Sequence, residues 1–130
     1  MSSILTHVVV GTNDPATAAD FYDATFTALG VSGRRHDDGA FYGEPERGMF
    51  MVGRPRDGQP ATHANGGTIG FAAADQGAVD AWHAAGLANG GSDEGAPGRR
   101  DFGEHKIYGA YLRDPDGNKL GAFTVNVVEG

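Results

Sequence analysis

Apolar and polar positions along this chain form an order of elements that occurs twice. Ile4 to Val10 is a run rich in β-branched residues closed by Gly11, which predicts a strand. Asp14-Pro15 follows, a carboxylate suited to capping a helix and a proline suited to its first position. Ala18, Phe21, Tyr22, Phe26 and Leu29 then make one apolar stripe at helical spacing, with Gly30 as the stop. Val31 to Gly53 breaks into short extended pieces around Asp37-Asp38-Gly39 and Gly43 to Gly48, a spacing that predicts a meander of three strands. Arg54 to Gly67, rich in Pro, Gly and polar residues, reads as a linker.

The order then recurs. Thr68 to Ala73 is a second short apolar strand, and Asp75 caps a second helix that carries Val79 and Trp82 and ends at Gly86 or at Gly90-Gly91. Ser92 to Glu104 is polar and glycine-rich and reads as irregular. Two strands, Lys106 to Arg113 and Lys119 to Val127, flank Asp114-Pro115-Asp116-Gly117, which has Pro at the second turn position and Gly where the backbone turns left-handed, so a tight hairpin is expected. The halves, about 1–55 and 66–130, repeat a pattern with little residue identity. One domain over residues 1–130 suffices for a real core at this length.

Composition narrows the function. Seventeen acidic against ten basic residues give a formal charge of -7, which disfavours a nucleic-acid backbone as partner. No cysteine is present, excluding thiolate metal sites, disulfide staples and cysteine nucleophiles, and a reducing cytoplasm is the compartment this suits. Met1 to Gly11 reads as a strand rather than a signal peptide, and no run approaches the roughly 18 apolar residues of a membrane span. The 22 glycines are spread without period, which suits many turns and bulges.

The run Tyr108-Gly109-Ala110-Tyr111-Leu112-Arg113-Asp114-Pro115-Asp116-Gly117-Asn118-Lys119-Leu120 carries a resemblance. With His7 in the first strand, Asp20-Phe21-Tyr22 and Leu29-Gly30 in the first helix, Gly66 to Phe71, and the loop Gly95 to Arg100, it is similar to the vicinal oxygen chelate superfamily of glyoxalase, bleomycin-resistance and extradiol dioxygenase proteins. The resemblance implies an α+β fold of two βαβββ modules, a cupped mixed β-sheet with helices on its outer face, and a homodimer. It also implies a catalytic metal held by side chains of both modules. Here the chain departs: His7 matches a ligand position, but Thr68 stands where the family usually has His and Gly121 where it usually has Glu, and Met49 to Met51 offers neither group. One histidine does not hold a catalytic ion that needs three protein ligands, so no metal or other cofactor is expected.

Alternation aligned on the family places His7, Thr68, Gly109, Tyr111, Gly121 and Phe123 in the sheet's trough, with Tyr42 and Phe50 as apolar walls and the glycines leaving room for a ligand. His7 and Tyr111 are the candidate catalytic pair. An imidazole moves protons near neutral pH, and a phenol donates to a carbonyl or enolate oxygen. Arg99 and Arg100 would meet an anionic ligand, and His105 lies at the loop's edge. The leading expectation is a metal-independent small-molecule binder or degenerate enzyme. The alternatives are a metal-dependent lyase, isomerase or dioxygenase with ligands displaced to His63, Glu104 or His105, and an antibiotic-sequestering protein whose acidity attracts a cationic drug.

Overall fold

The computed structural model describes residues 4–128. Residues 1–3 and 129–130, which include the chain start read above as part of a strand, lie outside the described residues. The element order is β1 (His7–Gly11), α1 (Pro15–Ala28), β2 (Gly33–His36), β3 (Gly39–Glu44), β4 (Gly48–Gly53), β5 (Ile69–Ala72), α2 (Gln76–Ala88), β6 (Ser92–Arg99), β7 (Tyr108–Arg113) and β8 (Lys119–Thr124). Two mixed four-stranded sheets result, ordered β1-β4-β3-β2 and β5-β8-β7-β6. In each, the first strand of the module runs parallel to the last and the other neighbours are antiparallel. This is the α+β architecture expected, two βαβββ modules repeating one topology.

Local chemistry sets both helices. Asp14 and Asp75 are the N-caps, accepting from the amides of Thr17 and Ala78, with Pro15 opening α1. Both helices end in the same left-handed glycine motif. Gly30 (φ 74°) lets the Val31 amide return to the Phe26 carbonyl, and Gly90 (φ 92°) lets Gly91 return to Gly86. The helices pack on each other and on their own sheets. Between them lies an aromatic core of Phe21, Tyr22, Phe26, Tyr42, Phe50 and Trp82, all at most 5% exposed.

One strand departs from the sequence reading. Ser92 to Arg99, expected to be irregular, is β6, an edge strand held to β7 through two register shifts around Gly95. Its composition carries no apolar alternation because it is an edge held by ladder bonds and bulges rather than by a buried side-chain row.

Candidate functional site

Register and burial divide each sheet into two faces. Val8 and Val10 of β1, Tyr42 of β3, and Phe50 and Val52 of β4 turn to the helices, as do Ile69, Phe71, Leu112 and Leu120 in the second module. The opposite face of the first sheet carries His7 and Val9 beside Met49 and Met51, with Phe41 and Arg34 further across. His7 and Val9 are exposed, Val9 at 59%. The His7 Nδ1 lies 2.9 Å from the Thr6 hydroxyl.

On the second sheet the corresponding face is an aromatic shelf. Cross-strand pairing aligns Gly70, Gly121 and Tyr111, and beside them Gly109 with Phe123. The Phe123 ring lies across the glycines: a Cβ at Gly109 would collide with the ring, one at Gly121 would stand 2.5 Å from it and one at Gly70 3.2 Å. The room that the sequence reading assigned to a ligand over Gly109 and Gly121 is therefore filled by Phe123. Tyr111 meets Phe123 edge-to-face at 5.3 Å between centroids. Two cations flank the Tyr111 ring, the Arg100 guanidinium at 5.5 Å and the Lys119 ammonium at 5.1 Å from its centroid. Arg100 is fixed by hydrogen bonds to the carbonyls of Ala96, Gly98 and Gly109.

The remaining expected site residues are dispersed. His7 and Tyr111 sit on different sheets, which share no hydrogen-bonded strand pair among the described residues. Tyr42 and Phe50 do not wall this face. At 2% and 4% exposed they belong to the helix-side core, because pairing of Val8 with Phe50 and of Phe50 with Tyr42 puts all three on one side. There they border a cleft of about 430 Å³ between the C-terminal end of α1, β4 and β5, lined also by Phe26, Val31, Ile69 and Phe71. Thr68 precedes β5 and is exposed. Arg99 is paired with Asp101 at 3.2 Å, and His105 is exposed in the loop, where it forms a backbone bridge with Phe102.

A second cluster went unforeseen. Asp114 is 3% exposed, and its carboxylate accepts from the Asp116 and Asn118 amides, the Asn118 side chain and the Tyr22 hydroxyl. Burial first, and the facing Asp114 second, push the Tyr22 phenol well above its usual range, which keeps it a donor. Asn118 also donates to the Gly11 carbonyl, and Asp116 accepts from the Asn13 amide. The turn that carries the resemblance thus bolts the second module to β1 and α1 of the first. The sequence signal for it is an acidic residue opening the Asp114–Gly117 turn, with Asn118 directly after it.

The donor set does not fit the metal that the family implies. Among the described residues no group of three or more His, Cys, Asp and Glu is placed to hold an ion. His63 lies over Gly117, where a Cβ would come within 3.2 Å of its Nδ1, while Glu104 and His105 lie in the loop before β7. The position matching a family carboxylate, Gly121, is covered by the Phe123 ring.

Fold and motif together define a glyoxalase-like protein. The chain belongs to the Glyoxalase/Bleomycin resistance protein/Dioxygenase superfamily, whose model matches residues 4–121. It is similar to a glyoxalase/bleomycin resistance protein of Albidiferax ferrireducens at 49% identity and TM-score 0.88, over 94% of this chain and 99% of that one. A lactoylglutathione lyase of Agrobacterium tumefaciens shares the fold at 22% identity and TM-score 0.63, over 95% and 94% of the two chains. So does a glyoxalase/bleomycin resistance protein/dioxygenase family enzyme of Burkholderia phytofirmans, at 19% identity and TM-score 0.67, over 95% and 99%. A search of curated proteins gave no match. No helix among the described residues is long and apolar enough to cross a membrane.

Proposed function

We propose that the protein binds a small organic molecule on the open sheet faces without a family-type metal site, and that it does so as a homodimer. The observation that carries this reading is the Phe123 ring lying over Gly70, Gly109 and Gly121. Where family members place a ligating carboxylate, this chain presents an aromatic shelf, and a planar or apolar ligand stacks on such a surface. The placement of the two candidate faces on different sheets supports dimerisation. His7, Val9, Met49 and Met51 lie on one sheet and Tyr111 and Phe123 on the other, so a second copy set against the first closes one cavity from both faces. In that cavity His7 supplies an imidazole for proton transfer and Tyr111 a phenol as hydrogen-bond donor. A cysteine-free chain suits the cytoplasm as its compartment.

The test is metal analysis after equilibration with Ni, Zn, Mn and Fe, with light scattering on the same samples. The expected result is far less than one ion per chain, in a particle of twice the 13.5 kDa chain mass. One tightly held ion per chain that disappears in His7→Ala would overturn the metal-free reading, and a monomer at micromolar concentration would overturn the composite cavity.

A further inference from the structure

Given the ligand face proposed above, we infer that its ligand is an anion, a carboxylate, phosphate or sulfonate group attached to an apolar or aromatic body. The chain is acidic overall, with seventeen Asp and Glu against ten Lys and Arg, so a face of random composition would carry an excess of carboxylates. The open faces do not. No acidic residue lies on β1, β2, β4, β5, β7 or β8; β3 has only Glu44 at its end, and β6 has Asp93 and Glu94. These last two are committed, Asp93 to His83 and the Gly95 amide, and Glu94 to Arg113 at 2.6 Å.

The cations are distributed the opposite way. On the helix side, Arg35 is neutralised by Asp20 and Asp23. On the open side, Arg100 and Lys119 approach one aromatic ring, and among the described residues neither forms a contact ion pair with a carboxylate, although the Arg100 charge reaches Asp93. Arg100 is held by three backbone carbonyls. These are dipoles that orient the guanidinium, and they carry no formal charge to neutralise it. Lys119 adds an ammonium over the same ring. Tyr111 and Phe123 between them offer the apolar surface for the rest of the molecule. Two cations and an aromatic platform make a receptor for an aryl or alkyl anion, and they repel a cationic drug.

Three probes of one shape and different charge decide this: 2-naphthoate, 2-naphthalenemethanol and 2-naphthylmethylammonium, each titrated into the full chain and followed by amide chemical shifts. The carboxylate is expected to shift Gly109, Tyr111, Gly121 and Phe123 and to bind roughly tenfold more tightly than the alcohol, with the ammonium weakest. Lys119→Met should remove most of that preference, whereas Arg56→Gln, which alters net charge equally from the exposed linker, should preserve it. Equal binding of carboxylate and alcohol, or tighter binding of the ammonium, leaves the ligand face standing and overturns the anion assignment. If no probe perturbs these amides, the ligand face itself is refuted and the anion assignment falls with it.

Discussion

Replacing Asp114 should unfold the protein far more easily than removal of a turn residue ordinarily does. Its carboxylate accepts the Tyr22 hydroxyl at 2.5 Å, the Asn118 side chain at 2.8 Å and the amides of Asp116 and Asn118 at 2.9 Å. In Asp114→Ala the Tyr22 hydroxyl, on a residue 0% exposed, and one hydrogen of the Asn118 amide lose their acceptor in the interior. A buried donor left without a partner costs about 1–3 kcal/mol, so the substitution should cost about 3–5 kcal/mol. Tyr22→Phe removes one donor and leaves the carboxylate its other three, for about 1–2 kcal/mol. The double variant no longer strands the hydroxyl. Its cost should therefore fall short of the sum of the single costs by roughly 1–2 kcal/mol. Urea unfolding followed by fluorescence of Trp82, which is 1% exposed, and by far-ultraviolet circular dichroism measures all three. Additive costs, or a loss below about 1 kcal/mol in Asp114→Ala, would refute the bolt between modules.

Two further outcomes follow from the same geometry. Gly121→Val should expel the Phe123 ring, since even a Cβ there falls 2.5 Å from it; a cost of about 1–3 kcal/mol and loss of the Tyr111–Phe123 ring-current shifts are expected, and wild-type shifts would contradict the flat ring. The His83 side chain, and then the Gly95 amide, hold the Asp93 carboxyl below the usual carboxylate range. The folded pKa is the lower one, so the pair stabilises the fold above the unfolded value near 3.9 and this contribution disappears as pH falls through the folded value. Asp93→Asn should thus flatten the acid limb of a stability–pH profile below about pH 4, and an unchanged limb would remove the pair from the acid response.

What the sequence disclosed depended on how local the determining chemistry is. Asp14, Pro15, Gly30 and Asp75 act within four or five residues of themselves, so both helices were legible at their caps and stops. The Asp114 to Gly117 turn was legible for the same reason, with Gly117 at φ 91°. Strand faces were only partly legible. Alternation placed Val8 and Val10 correctly against the helices, but which face Tyr42 and Phe50 take depends on the pairing of Val8 with Phe50, a register set by the β3–β4 hairpin and the β1 edge together. β6 was missed because Asp93, Glu94 and Pro97 read as a loop wherever no partner strand is assumed.

The open face shows a deeper limit. Gly109 and Gly121 are neighbours of a phenylalanine on the adjoining strand or two positions along, and sequence alone does not say whether such glycines serve a ligand or a ring. The geometry gives that space to the ring. Phe123 lies flat because Gly70, Gly109 and Gly121 have no Cβ, and a glutamate at the family's ligand position would need the space that the ring fills. The lack of a carboxylate at Gly121 and the flat posture of Phe123 are thus one structural choice. A Gly121→Glu substitution alone would displace the ring before it offered a ligand, and the incoming carboxylate would sit beside the cations at Arg100 and Lys119 with no imidazole on that sheet's face to share an ion. In this chain a π-faced, cationic floor stands where the family's chelating one would be, and under the proposed function stacking and charge rather than coordination would govern recognition there.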